Sequence, residues 1–317
     1  MEEKIKIGIS SCLLGENVRY DSGHKHDRYI TDTLGNFFDW IPTCPEVAIG
    51  LGVPRPSIRL QFVGKETKLI EPRSENDLTE KMKAFSKRRV KSLAKEGLCG
   101  YILKSKSPSC GMARLKIYRG YAERPATNGV GVFAEELLST NLNLPIEEEG
   151  RLMDPVLREN WIRRVFAFYN FKKMVAFRPS IGKLVKFHSA YKFVVLSHCP
   201  KSYKELGQIV ANAKSIGINE STIRYEKIFM TALKKKATRA KNVNVMEHLL
   251  GFFKKELDSH IRQEILQTIK DFRDGYTTII VPITIIRHYA NILEIDYLMN
   301  QAYLNPHPKQ LALLSTI

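Results

Sequence analysis

Residues 4–10 read KIKIGIS and run directly into SCLLG at residues 11–15. Apolar residues first alternate with polar ones and then form a short β-branched run, which is typical of a strand that enters a protein core. The Ser- and Gly-containing segment that follows predicts a loop, and this loop carries Cys12. A strand that ends in such a loop favours an α/β arrangement with a site at the end of the strand.

Two further strands are predicted in the first half, at residues 40–43 and 100–103. Helices are predicted around residues 27–38 and over residues 74–96, where apolar residues recur at near-helical spacing and Gly97 follows as a stop signal. This alternation predicts a small, Rossmann-like α/β domain with a mainly parallel sheet. In such a sheet, ligands bind outside the carboxyl ends of the strands.

The sequence pattern changes near residue 145, where Pro145, the acidic residues 147–149 and Gly150 predict a linker. Beyond it, apolar residues recur every three or four positions and predict an all-α domain. The residues that carry this spacing are Leu184, Phe187, Tyr191, Val194 and His198; Met246, Leu249, Leu250, Phe253 and Leu257; Ile261, Ile265, Ile269 and Phe272; and, in a last helix beginning near Pro282, Ile286, Tyr289 and Leu293. We therefore expect an α/β domain over residues 1–148 and an all-α domain over residues 149–317.

The chain of 317 residues has a formal net charge of +17, and this charge is unevenly distributed. Residues 1–150 contain 23 Lys and Arg against 20 Asp and Glu, whereas residues 151–317 contain 27 against 13. A positive field concentrated in one half favours a polyanionic partner, with nucleic acid ahead of an acidic membrane surface. The alternative is a solvated basic face that has no partner.

The sequence contains no apolar run that approaches the ~18 residues of a membrane helix. The longest run, residues 279–286, is broken by Pro282. The opening MEEKIKIGIS lacks the basic and apolar regions of a secretion signal. These features predict a cytoplasmic protein without a membrane partner.

Five cysteines, with no CxxC pair, indicate metal binding, catalysis or burial in a reducing compartment. Cys12, Cys44 and Cys110 each follow a predicted strand in a segment rich in Gly, Pro or Ser, so they could converge on one centre. Cys99 precedes its strand and is expected to be a small buried residue. Three thiolates are too few for a closed zinc site but suit an iron–sulfur cluster with one open iron. Three unrelated cysteines are the alternative.

The residues around these three cysteines form a series of short blocks. They are SSCLLG and VRYD (residues 10–15 and 18–21), CPE and GLGVPRP (44–46 and 50–56), and KSKSPSCG (104–111). Present together and in this order, they resemble the thiouracil desulfurase (TudS) family. In the second half, KLVKFHSAYK (183–192), LSH (196–198), VPIT (281–284) and RHY (287–289) resemble the YbgA-like domain. The two-part arrangement resembles tRNA 4-thiouridine desulfidases of the RudS type.

The resemblance implies a [4Fe-4S] cluster held by Cys12, Cys44 and Cys110, with the fourth iron free to accept sulfur from a thiocarbonyl. It implies an enzyme that removes sulfur from 4-thiouridine in tRNA, which gives uridine and sulfide. The basic helical domain would then present the tRNA to the α/β domain.

The resemblance also implies two catalytic side chains. Glu46, two residues from a cysteine, would be the general acid/base that moves a proton between water and the ring nitrogen. Ser107 would bind or polarise the base, and Ser109 is its rival. The alternatives are turn residues beside Pro108 for the serines and a carboxylate at a helix N-terminus for Glu46.

Several other residues are open to two interpretations. Arg19, Tyr20 and Asp21 could line the same pocket or form a structural arginine–aspartate pair. His188 and His198 lie in a helical pattern and could contact RNA or be ordinary core or surface histidines, and we assign them no metal. The aromatics Phe168, Tyr169 and Tyr191 are expected to be core residues, although stacking on bases is the alternative. The cations that could follow phosphates are Arg163, Arg164, Lys172, Lys173, Lys183, Lys186, Lys234, Lys235 and Lys236.

Signatures of other enzyme classes are missing from the sequence. The segments GLG at residues 50–52 and GVG at residues 129–131 each lack the third glycine of a dinucleotide fingerprint, and no Walker sequence or radical SAM cysteine triplet occurs. We therefore predict a non-redox reaction without a nucleotide cofactor. Two other functions stay open: the same chemistry on free thiouracil or another small thiolated base, and a non-catalytic nucleic-acid-binding protein with a structural metal.

Overall fold

The computed structural model describes residues 4–119, 124–141 and 143–311. The chain divides into two compact units, Met1–Met153 and Asp154–Ile317. In the described part of the first unit, the strands are β1 (Ile5–Ser10), β2 (Phe38–Thr43), β3 (Arg59–Val63), β4 (Glu66–Glu71), β5 (Asn76–Asp77), β6 (Gly100–Leu103), β7 (Leu115–Tyr118), β8 (Ala126–Gly129) and β9 (Ile146–Glu148). Its helices are α1 (Pro45–Ala48), α2 (Thr79–Lys95) and α3 (Val132–Thr140).

A parallel sheet of four strands, in the order β2-β1-β6-β9, positions the candidate site. Ile7 and Ile9, two residues apart on β1 and so on the same face of the sheet, are fully buried. The α/β fold with a parallel sheet that the sequence predicts is therefore confirmed. Because all four strands run in the same direction, the loops after them lie at one edge of the sheet.

A second sheet, in the order β5-β4-β3-β7-β8, is absent from the sequence predictions. Its strands are antiparallel except for the β3–β7 pair. Leu60, Leu69 and Ile117 from this sheet pack with Met82 of α2 in a buried cluster. The strands are short and rich in charged or small residues, as in ETKLIE and ATNG, so their sequence pattern is weak.

The helix predicted around residues 27–38 is wrong in type and extent. Tyr29–Thr33 is a single π-helical turn and Leu34–Asn36 a 3₁₀ turn, and Phe38 already pairs with Ile5 in the sheet. The second predicted helix is present, but it begins at Thr79 because Asn76–Asp77 pairs with β4.

The predicted linker at residues 147–149 is also wrong. Ile146–Glu148 forms β9, which pairs in parallel with β6 at the edge of the sheet. Glu147 and Glu148 are buried. Acidic residues occupy this strand because they have specific partners: Arg151 donates to Glu147 at 2.5 Å and the backbone N–H of Met112 donates to Glu148 at 2.6 Å.

The second unit is helical, as expected. Its α-helices are α4 (Pro155–Ala176), α5 (Ile181–His198), α6 (Pro200–Ala211), α7 (Ala213–Ile216), α8 (Ile218–Leu233), α9 (Arg239–Leu250), α10 (Ser259–Asp274), α11 (Ile280–Ile292) and α12 (Asp296–Met299). The helical pattern predicted through Leu257 stops at Leu250, where a 3₁₀ turn follows, and α12 comes after the helix expected to be last. Within the described residues, no helix has the length and apolar character needed to span a membrane.

Candidate active site

A pocket of about 420 Å³ lies at the carboxyl ends of the parallel strands. Cys44, Cys12 and Cys110 follow β2, β1 and β6, which are neighbours in the sheet in that order. All three thiols line the pocket. The convergence expected from their places in the sequence is therefore a feature of the structure. Cys99, at the opposite end of β6, is buried as predicted.

Each thiol is placed by a different local structure. Cys12 lies in the 3₁₀ turn Ser11–Leu14, and Cys44 is the N-cap residue of α1, whose first residue is Pro45. Cys110 lies in the loop after β6, where its backbone N–H donates to Ser107 Oγ at 3.1 Å. Short turns at all three positions leave the side chains free to point toward a common space.

The loop that carries Cys110 is fixed by the start of α3. The backbone N–H groups of Phe133 and Ala134 donate to the carbonyl of Ser109 at 3.0 and 3.2 Å. A Cβ added at Gly131 would lie 2.5 Å from that carbonyl oxygen, so only glycine allows this approach. Gly131, the second glycine of GVG at residues 129–131, thus allows the start of α3 to pack against the Cys110 loop next to the site.

Burial dominates the chemistry of the three thiols. It raises the pKa of Cys12 to about 11, and it raises the pKa values of Cys44 and Cys110 above the ordinary thiol range. The charges of neighbouring thiolates add to this effect at Cys12 and Cys110, while the cationic Lys104 opposes it at Cys12. Thiols whose pKa values are raised in this way need a positively charged partner to become thiolates.

Glu46, on the first turn of α1, is the carboxylate of the pocket. Its Oε1 accepts a hydrogen bond from Ser109 Oγ at 3.1 Å, and Ser107 Oγ lies 3.5 Å away. Its Oε2 accepts from Arg55 Nε at 3.2 Å and Nη2 at 2.7 Å. Four donors around two oxygens hold the carboxylate in one orientation at the pocket wall.

Arg55 lies within the GLGVPRP segment, and nothing in the sequence indicates its role. Its guanidinium also donates to the backbone carbonyls of Gly52 at 3.1 Å and Val18 at 2.9 Å. Arg55 therefore connects α1, which carries Glu46, with the loop segments that contain Val18 and Gly52. A lone arginine in a Pro- and Gly-rich loop, nine residues after the carboxylate, was the only signal available in the sequence.

The two serine candidates differ in position. Ser107 lines the pocket, and its Oγ accepts from the backbone N–H groups of Ser109 and Cys110 at 3.2 and 3.1 Å. Ser109 is fully buried behind the pocket wall and donates to Glu46. Ser107 is thus placed to meet a ligand, and Ser109 to hold Glu46.

Cationic side chains form much of the remaining wall. Arg19, Lys25, Lys104 and Lys106 line the pocket. Lys104 donates to Glu149, which also accepts from the backbone N–H and the Oγ of Ser105, both at 2.7 Å. The acidic segment first interpreted as a linker therefore anchors the loop that carries Ser107 and Cys110.

Arg19 satisfies both interpretations that the sequence left open. It lines the pocket together with Tyr20, and it also pairs with Asp21 through two hydrogen bonds of 3.1 Å. The hydrogen bond from Arg19 is the main reason that the pKa of Asp21 is lowered to about 2.

The candidate RNA-contacting residues of the second unit fall into two groups. Lys173, Lys183, Lys186, Lys234, Lys235 and Lys236 are exposed, whereas Lys172 is half-buried. Arg163 and Arg164 are only 8% exposed, which excludes them from following a phosphate backbone. Phe168 and Tyr191 are buried, as expected of core residues, and Tyr169 is half-buried.

His188 and His198 have partners inside the protein. The Nδ1 of His188 lies 3.0 Å from the hydroxyl of Tyr225, and the Nδ1 of His198 lies 2.5 Å from the carbonyl of Lys235. Burial lowers the pKa of each ring to about 4, so both are neutral at pH 7. These contacts favour the structural interpretation of both histidines.

The sequence of the first unit matches a known enzyme family. Residues 7–149, which contain all the pocket thiols and Glu46, match the model of the 2-thiouracil desulfurase family. The first unit is similar to TudS-like 2-thiouracil desulfurase domains. Residues 192–308 match a YbgA-like family described as a protein of unknown function, DUF1722.

Two individual proteins are similar to parts of the chain. The uncharacterized protein YbgA of Escherichia coli (strain K12) is 27% identical over 147 residues, which are 46% of this chain and 87% of YbgA. A solved structure, the [4Fe-4S]-dependent thiouracil desulfidase TudS, is 29% identical; the match covers 48% of this chain and 95% of that chain with a TM-score of 0.39.

Proposed function

We propose that this protein is a [4Fe-4S]-dependent, non-redox desulfidase that converts 4-thiouridine in tRNA to uridine and releases sulfide. The observation that carries the proposal is the placement of Cys12, Cys44, Cys110 and Glu46 around one pocket of a thiouracil desulfurase domain. The net reaction exchanges sulfur for the oxygen of water, so the enzyme is a hydrolase that needs no oxidant or reductant.

The donor set of the pocket fits an iron–sulfur cluster better than a single metal ion. Across the residues that the structure describes, no group of three His, Cys, Asp or Glu side chains is arranged to hold one metal ion. A cluster is larger than an ion, so its ligands stand further apart, and thiolates are the ligands that such clusters take. Cys110 is buried, Cys12 and Cys44 are half-buried, and the positive charges of Lys104 and Arg19 act on Cys12. This environment suits a group that binds as an anionic thiolate complex.

In the proposed reaction, a cluster held by Cys12, Cys44 and Cys110 would supply an iron that binds the sulfur of the substrate and makes it a better leaving group. Everything else is done by side chains of the chain itself. The pocket volume of about 420 Å³ is in the range that holds a small-molecule ligand, and a pyrimidine ring is of that size.

Glu46 is the proton carrier of this proposal. It would take a proton from the water that attacks the ring carbon and pass it to the ring nitrogen. One proton from that nitrogen and the second proton of the water then leave with the sulfur as hydrogen sulfide, so thiocarbonyl plus water gives carbonyl plus hydrogen sulfide and Glu46 is regenerated. Arg55 and Ser109 hold its two oxygens in place. Such fixed geometry is what general acid/base catalysis requires, because the carboxylate must be within hydrogen-bond distance of the proton it moves.

Ser107 is the second catalytic group of the proposal. Its Oγ faces the pocket while two backbone N–H groups donate to it. Because both backbone donors occupy its lone pairs, the hydroxyl proton is directed away from them. In the structure the hydroxyl lies 3.5 Å from Glu46 Oε1, and in the proposed reaction it would turn from that long contact to a carbonyl or ring nitrogen of the bound base.

The preference for tRNA over a free base rests on charge. The exposed lysines of the second unit, among them Lys173, Lys183 and Lys186, have no role in binding a small neutral ring. A thiolated base buried in folded tRNA must leave its stack to enter a pocket, and this costs a few kcal/mol that contacts with the phosphate backbone can offset. The family description favours one alternative, which is the same chemistry on free 2-thiouracil.

The test is an anaerobic preparation, reconstituted with iron and sulfide, that is given bulk thiolated tRNA and, in parallel, free thiouracil. Nucleoside mass spectrometry would follow 4-thiouridine and uridine. We expect loss of 4-thiouridine with a matching gain of uridine. Turnover of free thiouracil alone would establish the alternative substrate, and turnover of neither by a protein with an intact cluster would contradict the proposed chemistry.

A further inference from the structure

The second unit contains a small pocket that the proposed reaction does not use. It lies between α4, the end of α5, the segment before α9 and α9 itself, and its polar lining includes Glu159, Arg163, His198 and Lys236. Its volume is about 60 Å³. One water needs roughly 10–15 Å³ by this measure, so the pocket has room for a group of about four or five heavy atoms and not for a nucleobase.

Two residues that line this pocket, Arg163 and His198, each carry a buried nitrogen atom without a hydrogen-bond partner among the described residues. Arg163 uses one guanidinium nitrogen, Nη2, to donate to Glu159 at 3.0 Å, but in the described part of the chain its Nε has no hydrogen-bond partner. The Nδ1 of His198 faces the carbonyl of Lys235, and its Nε2 likewise has no partner among the described residues. Arg163 is 8% exposed and His198 2% exposed, so each unmet hydrogen bond carries a cost that a ligand would remove.

The charges around these atoms are predominantly positive. The one carboxylate of the lining, Glu159, is paired with Arg163, and the Nε2 of His307 lies 2.9 Å from one of its oxygens. Lys236 is exposed at the mouth of the pocket, and Lys241 donates to the carbonyl of His198 at 2.8 Å. The pocket therefore favours an anion.

The two unsatisfied nitrogens differ in what they offer. Arg163 Nε is a donor under all conditions. The neutral His198 ring places its proton on Nδ1, facing the Lys235 carbonyl, which leaves Nε2 as an acceptor. A ligand that satisfies both atoms must accept one hydrogen bond and donate another.

We propose that this pocket binds the phosphate group of inorganic phosphate or of a phosphate monoester, in a form that carries a proton. One phosphate oxygen accepts from Arg163 Nε, the P–OH group donates to His198 Nε2, and Lys236 contributes charge at the entrance. An internal phosphodiester has no P–OH group to donate, so the pocket discriminates against the nucleic-acid backbone. This inference is independent of the desulfidase proposal.

The test uses the full-length protein and inorganic phosphate, titrated by calorimetry at pH 7 in chloride of matched ionic strength. The first variant is Lys236→Gln, which changes an exposed residue and leaves the core intact. The second is His198→Asn, in which the amide can still donate to Lys235 while the Nε2 acceptor is lost. Lys254→Gln, an exposed lysine of the same unit away from the pocket, controls for net charge.

We expect saturable phosphate binding in the parent and in Lys254→Gln, and at least a tenfold weaker affinity in the other two variants. Nitrogen NMR of histidine-labelled protein should show a phosphate-dependent change at His198 Nε2. Absence of saturable binding, or equal affinity in all four proteins, would overturn the proposal.

Competition distinguishes the two sources of phosphate. If a 5′-phosphorylated oligoribonucleotide displaces phosphate and its 5′-hydroxyl counterpart does not, the site takes a terminal monoester. If neither displaces it, the site takes free phosphate. Equal displacement by both would contradict the proposal, because only backbone phosphodiesters are common to the two RNAs.

Discussion

Arg55 holds Glu46 through two hydrogen bonds to one carboxylate oxygen, from Nε at 3.2 Å and from Nη2 at 2.7 Å. The arginine side chain is 4% exposed and the glutamate side chain 15% exposed, so little water competes with the pair. The other oxygen of Glu46 is held by Ser109. The Glu46 carboxylate is therefore positioned by two segments, the loop that carries Arg55 and the loop after β6 that carries Ser109. The proposed proton transfer depends on both.

Glu46→Gln should keep the cluster and lose most of the desulfidase activity. The amide has almost the same shape as the carboxylate but cannot take up a proton, and general acid/base groups contribute about 10²- to 10⁴-fold to rate. The measurement is kcat on thiolated tRNA together with iron content. Activity close to that of the parent would remove Glu46 from the mechanism.

Arg55→Lys should lower kcat about 10- to 100-fold while leaving the fold intact. A lysine keeps the charge but cannot reproduce the two parallel hydrogen bonds, and a hydrogen bond to a charged group is worth about 1.5–3 kcal/mol. Arg59→Lys is the matched control, because Arg59 binds Gln61 through two nitrogens on β3, away from the pocket lining. An unchanged kcat in Arg55→Lys would mean that Arg55 only joins loops.

Ser107→Ala should reduce kcat more than Ser109→Ala does. Ser107 faces the pocket, whereas fully buried Ser109 acts only through Glu46. Both variants should be assayed with matched cluster occupancy, since Ser107 also organises the backbone around Cys110. The reverse order of effects would identify Ser109 as the catalytic serine.

The free energy of unfolding should fall as the pH drops from about 6.5 toward 4. Burial lowers the folded-state pKa values of His188 and His198 from 6.5 to about 4, so in this window the unfolded chain binds protons that the folded chain does not. The sign is therefore destabilisation on acidification, by roughly 1–2 kcal/mol for each ring at pH 5.

Urea unfolding at pH 7 and pH 5, in chloride without phosphate, measures this dependence. His188→Gln removes one titrating ring and should therefore remove about half of the destabilisation that the two histidines cause between pH 7 and pH 5. The difference between parent and variant separates this histidine contribution from that of carboxylates titrating in the same range. The same slope in the parent and in His188→Gln would show that His188 is not buried in neutral form.

Binding to tRNA should weaken steeply with salt, and the exposed lysines of the second unit should determine the slope. Replacing Lys173 and Lys186 with Gln should reduce the slope of log K against log salt by about 2. Lys87→Gln, an exposed lysine on α2 of the first unit, is the control and should leave the slope unchanged. If Lys87→Gln reduced the slope by about 1, which is as much per lysine as the two second-unit replacements, the basic second half would not be the specific RNA-binding surface.

The parallel sheet and the convergence of three cysteines were predictable, because they depend on local patterns. In β1 (IKIGIS) one exposed lysine precedes a buried run, and GYIL of β6 is buried throughout. The direction rule for parallel strands then places the following loops together. The helical second unit was equally predictable from its three- and four-residue spacing.

The features that the sequence analysis missed depend on pairing between distant segments. The acidic residues 147–149 resemble a linker by composition, but Met112 and Ser105 make them part of the sheet edge and the site. Arg55 has no periodic context, and its role becomes visible only when Glu46 and Val18 are beside it. Charged residues that are buried by long-range partners carry no local signal of their burial.

The most direct test of the central claim is the iron and acid-labile sulfide content of anaerobically reconstituted protein, determined together with its removal of 4-thiouridine from tRNA. The account predicts about four irons and four sulfides per chain in the parent, in Cys99→Ala and in Cys199→Ser. It predicts loss of both cluster and activity in Cys12→Ser, Cys44→Ser and Cys110→Ser. A parent that turns over 4-thiouridine without iron, or a Cys110→Ser variant with full cluster and activity, would contradict it.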